Sequence, residues 1–228
     1  MEKDNAGILY VVGTPIGNLE DITLRAIETL KGADLIACED TRVTKRLLDR
    51  YEISKPLISY HQHSKIAKVD TLIEKLKEGK NIALVTDAGT PGVSDPGNVL
   101  VAEVLNAGFQ VVPIPGVSAV ATIISVSGID MQKFTFWGFP PHKKGRQTYF
   151  GKVVGSEIPV VYYDSVHRVV KNLELLQSLD ESKNVIVGRE LTKMFEEVVR
   201  GSVSEVIQYF KENPGKVKGE FVVISYNT

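Results

Sequence analysis

Short β-branched runs alternating with stretches of helical period constrain this 228-residue chain more than any other feature. Ile8–Val12, Asp34–Cys38, Leu57–Tyr60, Ile82–Thr86 and Gln110–Ile114 read as strands. Between them Val69, Leu72, Ile73 and Leu76 recur at i, i+3, i+4 and i+7, while Leu24, Ile27 and Leu30 sketch a second helix with one apolar face. Parallel strands need a crossover between them, and a helix is the usual one, so the first half reads as an α/β domain with a mostly parallel sheet. After Val112-Pro-Ile-Pro-Gly116 the texture changes. Phe134–Gly138, Ile158–Tyr163, Val185–Arg189, Glu196–Arg200 and Glu220–Tyr226 read as strands, with helices at Arg168–Leu179 and Ser202–Lys211. The second helix opens on Ser202-x-x-Glu205, a capping box, and its face Val203, Val206, Ile207 and Phe210 is core. The expected organisation is an N-terminal α/β domain, 1–116, and a C-terminal α/β domain with a mixed sheet, 117–228.

At 43% apolar and 24% charged residues, the chain can fill two such units. Lys and Arg number 27 against 28 Asp and Glu, so the net charge of -1 does not advertise a nucleic-acid binder, and any basic surface must be local. The single cysteine, Cys38, lies in an apolar run and reads as a small core residue, with no disulfide framework or CxxC metal pattern. The start MEKDNAG lacks the plan of a secretion signal, and no apolar run approaches the ~18 residues of a membrane span, so a cytoplasmic location is expected. His61 and His63 lack a third ligand nearby, and no metal is expected.

Two loops occupy the carboxyl ends of strands, where open α/β sheets bind ligands: Gly13-Thr-Pro-Ile-Gly17 after the first and DAGTPGVSDPG, residues 87–97, after the fourth. Neither is GxGxxG and neither leads into GK[ST], which removes the main support for dinucleotide or triphosphate binding. Two uses stay open: main-chain groups brought close to a ligand, or merely tight connections.

The order of several stretches is more specific than any one. Leu9-Tyr-Val-Val-Gly-Thr-Pro-Ile-Gly-Asn18 running on to Arg25, Glu39-Asp-Thr-Arg42, Asp87–Gly97, Pro115–Ala119, Tyr163-Asp-Ser-Val-His-Arg168 and Gly188-Arg-Glu-Leu-Thr-Lys193 with Glu196-Glu197 closely resemble the tetrapyrrole-methylase-like family. The combination of GTPIGN, EDTR and RELTK resembles its RNA-modifying branch more than its porphyrin-methylating members. The resemblance implies S-adenosylmethionine as methyl donor, folded into the cleft between two α/β domains of a non-Rossmann methyltransferase fold. It implies 2′-O-methylation of a cytidine ribose in the decoding region of small-subunit (16S) ribosomal RNA, by a homodimer. Carried over position by position, it gives the donor Ile16, Asp87, Thr90, Val93, Gly116, Val117, Ser118 and Ala119, with Tyr163, Leu191 and Glu220 from the second domain. Asp87 is the ligand candidate of its loop, whereas Asp95, before Pro96-Gly97 and a helix, suits an N-cap. Val166 departs from a common proline, and the chain stops at Thr228 where some members continue into a small extra domain.

A ribose hydroxyl is a poor nucleophile, so a group able to take its proton is sought beside the donor loops. Glu39, Asp40 and Arg42 come directly off the second strand, and Glu190 and Lys193 flank Leu191 at the end of another; a surface ion pair is the alternative for the last two. For RNA, Arg42, Arg46 and Arg50 share one helical face, while Lys143, Lys144, Arg146 and Lys152 are expected in a Gly-containing loop after Phe139-Pro-Pro141. Trp137 reads as core and Phe139 as a candidate aromatic platform. Methylation of a tetrapyrrole or another small acceptor, and a non-catalytic RNA-binding module, are the competing readings.

Overall fold

The structure, a computed structural model, describes residues 6–60 and 66–227. Residues 1–5, on which the reading of the N-terminus rested, and His61 and His63 lie outside them. The chain forms two compact units that meet in sequence between Ser118 and Ala119.

The first unit carries β1 (Ile8–Val12), α1 (Leu24–Gly32), β2 (Leu35–Cys38), α2 (Thr41–Arg50), β3 (Leu57–Ser59), α3 (Ile66–Lys77), β4 (Ile82–Leu84), α4 (Gly97–Asn106) and β5 (Gln110–Ile114). Its sheet has the order β3-β2-β4-β1-β5 and every pairing is parallel. Because side chains alternate along a strand, a sheet covered on both faces needs apolar residues at consecutive positions, and β2 and β4 have them. Ile36, Cys38 and Ala83 pack with Ala26, Leu30 and Leu48 on one face. Leu35, Ala37, Ile82 and Leu84 pack with Leu72, Leu76, Leu100 and Val104 on the other. Cys38 is fully buried. The expected apolar stripe on α1 is corrected in one place: Leu24 is 82% exposed. Thr23 caps this helix by accepting from the Ala26 amide at 3.1 Å, which sets Leu24 at the first turn facing solvent and turns Ala26 and Leu30, four apart, inward.

The second unit carries α5 (Ala119–Ser125), β6 (Thr135–Phe136), α6 (Arg146–Val154), β7 (Val160–Ser165), α7 (Val169–Leu179), β8 (Asn184–Arg189), β9 (Glu197–Ser202), α8 (Val203–Glu212) and β10 (Glu220–Tyr226). The order is β6-β7-β10-β8-β9, with β6 parallel to β7 and the remaining pairs antiparallel. Helices α6, α7 and α8 cover one face through Phe150, Leu173, Leu176, Val206 and Phe210. The Ser202–Glu205 capping box forms as expected. Arg146 and Lys152, expected in a loop, lie on α6 instead; burial of Phe150 and Val153 against the sheet winds that segment into a helix directly after Gly145.

Among the described residues no helix is long and apolar enough to cross a membrane.

In the first unit β1 and β5 end so close together that Gly13 and Gly116 touch through their backbones. A Cβ on Gly13 would lie 2.7 Å from the Gly116 Cα, and one on Gly116 2.8 Å from the Gly13 Cα. Backbone cannot yield as a side chain can, so Gly13→Ala and Gly116→Ala are each expected to lower the unfolding free energy by roughly 1–3 kcal/mol in equilibrium denaturation. Gly32→Ala, with nothing within 4 Å of its new Cβ, should leave stability unchanged or raise it.

Candidate functional site

All strands of the first sheet point the same way, so the loops after β1, β2, β4 and β5 emerge at one edge. They are fastened to one another there. Thr14 and Gly89 exchange main-chain hydrogen bonds, the Thr14 amide donating to the Gly89 carbonyl at 2.9 Å and the Gly89 amide to the Thr14 carbonyl at 3.1 Å. The buried Thr14 hydroxyl also lies within hydrogen-bond reach of the Thr86 carbonyl, at 3.1 Å. Thr90 Oγ1 donates to the Val117 carbonyl at 3.1 Å, joining the β4 loop to the segment after β5. The Asp40 amide donates to Asp87 Oδ1 at 2.9 Å, and Thr86 Oγ1 to Glu39 Oε2 at 3.1 Å, joining the β2 end to the β4 loop. Glu39, Tyr60, Thr86, Asp95 and Gly97 line a small open recess at this edge.

The residues expected around a donor distribute as follows. Ile16 is buried, its Cγ2 within 3.4 Å of the space over Gly89, while Val93 is exposed on the β4 loop. Asp87, Thr90, Gly116, Val117 and Ser118 belong to the same edge, and Ala119 is the first residue of α5 in the second unit. Asp95 caps its own turn, accepting from the Gly92 and Gly97 amides at 2.8 Å, one residue earlier than an N-cap of α4 would stand. Thr14 and Thr86 tie the edge together; Thr14 stands in the GTPIGN stretch, but that stretch does not say that its threonine is the fastener, and Thr86 is marked only as a threonine at a strand end.

The acids of this edge are separated by their surroundings. Asp40 is the N-cap of α2, accepting from the Arg42 amide at 2.8 Å, and both its oxygens take the Arg42 guanidinium, at 3.1 and 2.7 Å. Arg42, first by its side-chain and then by its backbone hydrogen bond, holds the Asp40 carboxyl at about 2, below the ordinary 3.8. Partial enclosure pushes Asp87 the other way, above its ordinary value, with the Asp40 amide opposing. Asp40 is therefore committed to its helix and its arginine, and Glu39 and Asp87 are the carboxylates of the edge available for other work.

In the second unit Glu190, Lys193 and Glu220 come together. Lys193 Nζ donates to Glu190 Oε1 and to Glu220 Oε2, both at 2.9 Å, and the Glu220 amide donates to Glu190 Oε1 at 2.9 Å. Burial pushes the Glu190 carboxyl up, but Lys193 and the Glu220 amide outweigh it and hold it low. The ion pair weighed as the alternative for Glu190 and Lys193 is formed. Gly219, at φ +84°, makes room for it: a Cβ there would stand 2.2 Å from the Glu190 carboxyl. Glu190 and Thr192 themselves adopt φ of 50° and 66°, a costly conformation for side-chain-bearing residues. Tyr163 and Gly188 both pair with Val222 of β10, and Leu191 Cδ2 lies 3.2 Å from the space over Gly188. The cations Arg46, Lys143 and Lys144 are exposed.

Residues 8–207 match the family of Tetrapyrrole (Corrin/Porphyrin) Methylases. The chain belongs to this family, whose methyl donor, and that of this chain, is S-adenosylmethionine. Two curated relatives named ribosomal RNA small subunit methyltransferase I give its nearer kinship. That of Bacillus subtilis (strain 168) is 45% identical over 97% of this chain and 76% of its own length. That of Borrelia garinii subsp. bavariensis is 43% identical over 95% of this chain and 97% of its own. Among solved structures, a diphthine synthase superposes with a TM-score of 0.75 at 14% identity, covering 97% of this chain and 90% of that one, which establishes the fold alone.

The β4 loop suits that donor. Asp87 Oδ2 takes no hydrogen bond from any described residue, so it can receive an ammonium or a ribose hydroxyl. Ala88 to Gly92 carry small or compact side chains that leave the main chain within reach of a nucleoside.

Because Asp40 binds its proton only near 2, its contribution to stability is complete above the ordinary 3.8 and is lost as the pH falls through 2. Acid titration followed by circular dichroism should show wild-type stability declining between pH 4 and 2, and Asp40→Asn, whose cap carries no charge, declining less over that window.

Proposed function

We propose that this chain transfers a methyl group from S-adenosylmethionine to the 2′-hydroxyl of a cytidine ribose in the decoding region of small-subunit ribosomal RNA. The observation that carries the reading is kinship over nearly the whole chain with relatives named ribosomal RNA small subunit methyltransferase I. The carboxylates Glu39 and Asp87, left uncommitted beside the glycine-rich loops, support it chemically. In this reading the protein is a cytoplasmic homodimer that acts on small ribosomal subunits; light scattering tests the dimer.

Bound S-adenosylmethionine supplies an activated methyl group on a sulfonium leaving group. The chain's own task is alignment, which alone removes a large part of such a barrier. Asp87, Thr90 and the Gly116–Ser118 segment hold the donor, with Ile16 and Val93 against its apolar parts. Glu39 takes the proton from the ribose hydroxyl as the oxygen attacks, and Thr86 fixes the carboxylate for that purpose. Arg42, held by Asp40 with a side chain 85% exposed, meets the RNA backbone near the acceptor. Glu190 and Lys193, paired to each other on either side of Leu191, are the groups that would take the proton if Glu39 does not. Arg46 on α2, Lys143 and Lys144 before α6 and Arg146 at its start bind phosphates.

Incubation with tritiated donor and small ribosomal subunits, followed by mapping of the label, tests the reading; label on a base, or on none of the RNA, would overturn it. Glu39→Gln and Arg42→Ala should each lower kcat at saturating substrates by at least roughly tenfold, about 1.4 kcal/mol of transition-state stabilisation, with little change in Tm. Glu39→Gln should be the worse at every pH. Neutralising Lys143, Lys144 and Arg146 together should weaken RNA binding and flatten its dependence on salt, since fewer counterions are released; filter binding across a salt series measures the slope.

A further inference from the structure

We propose that Phe139 is a stacking platform for an unpaired RNA base, with Lys143 and Lys144 holding the adjoining phosphates. The inference rests on the RNA reading above and names the part of the substrate that the second unit grips.

Phe139 follows the short edge strand β6 and is 51% exposed. A single exposed apolar residue ordinarily needs no explanation. This one is fixed from both sides. Before it, the Gly138 carbonyl accepts from the Tyr163 amide at 2.9 Å. After it, the carbonyl of buried Pro140 accepts from Arg168 Nη1 at 2.8 Å, and Arg168 Nε donates to Ser165 Oγ at 3.1 Å. The ring leans on Tyr163, with centroids 5.3 Å apart and planes tilted by 57°. Tyr163 is braced in turn by Phe136, edge-on at 4.9 Å. The backbone on both sides of the ring is thus hydrogen-bonded to the rest of the unit, and half of the ring's surface stays in water. A ring held this way loses little conformational freedom when something stacks on it, the condition under which an exposed aromatic binds well.

The surrounding charge says what that partner is. Residues 131–156 contain no aspartate or glutamate, although the whole chain carries 28. Lys143 and Lys144, exposed and without an ion pair among the described residues, lie at most about 14 and 18 Å of extended chain from Phe139. An exposed aromatic beside cations, with no acid in the segment, fits the bases and phosphates of single-stranded RNA. In a duplex the faces of a base are already stacked, so the platform selects unpaired nucleotides. A protein partner of mixed charge would gain nothing from a segment of one sign.

The test compares a short unstructured oligocytidine with an abasic oligonucleotide of the same ribose-phosphate length, each fluorescently labelled, by anisotropy. Phe139→Ala and Phe139→Leu should bind the oligocytidine about tenfold more weakly and the abasic strand as wild type does; Phe139→Trp should bind both as wild type does. Lys143→Ala with Lys144→Ala should weaken both. If Phe139→Ala keeps its affinity for oligocytidine, or loses it equally for both strands, the platform is wrong. If Phe139→Leu binds as wild type, bulk and not the aromatic face is at work, and the platform is equally wrong. A changed oligomeric state in light scattering, with RNA affinity intact, would assign the ring to contact between copies of the chain. Methyl transfer by the wild type to small subunits is scored separately, so loss of the ribosomal reading is distinguishable from loss of the platform.

Discussion

The contact between Gly13 and Gly116 governs the first unit. Strand β5 at the edge of the sheet and its interior neighbour β1 finish side by side, and their chains can turn outward together only because neither glycine carries a Cβ. Parallel sheets leave main-chain groups unpaired where their strands end, and buried groups of this kind must find partners. Thr14 supplies them for the β4 loop through a two-way main-chain bridge. The glycine-rich loop is thus shaped by protein hydrogen bonds and does not depend on a ligand to hold its form.

The second unit solves a different problem. Its sheet is mixed, so strand ends of opposite polarity lie together, and the turn after β8 meets the start of β10. Glu190 and Thr192 take backbone conformations that cost of order 1–3 kcal/mol each. The Lys193 pairing with Glu190 and Glu220, and the cramped glycine at 219, hold that turn in place. Leu191, just past β8, is buried against Gly188, which shares a row of the sheet with Tyr163 through Val222. An ion pair of this design gives the turn rigidity.

The alternation of apolar runs and helical periods was enough to read the parallel sheet, because each βα unit advertises itself locally. The long strand at Gln110–Ile114 and the Ser202 box are legible for the same reason. Around Arg146 and Lys152 the sequence favours a loop because Pro140, Pro141 and Gly145 speak for one, while the helix that forms depends on Phe150 and Val153 finding a distant sheet. Leu24 was misread because spacing alone does not say which residue is the cap. The pairing of Glu190 with Lys193 was foreseen as one of two options, but Glu220 completing it lies thirty positions away, and no local pattern encodes such a bond. Thr14 stands in the GTPIGN stretch, but its partners Thr86 and Gly89 lie about seventy positions away, so its fastening role is not legible there.

Glu39 and Asp40 show how adjacent acids acquire separate tasks. In extended chain, successive side chains point apart, so one carboxylate can face Thr86 while the next turns to the amides of α2. Arg42 then drives Asp40 toward permanent charge, and partial enclosure drives Asp87 toward the neutral form. Environments that push neighbouring acids in opposite directions mark where proton-handling and structural roles divide. The two are also coupled, since the Asp40 amide is the hydrogen-bond donor to Asp87. Fixing the start of α2 therefore fixes the Asp87 carboxylate of the β4 loop, and a disturbance of the cap is passed directly to that loop.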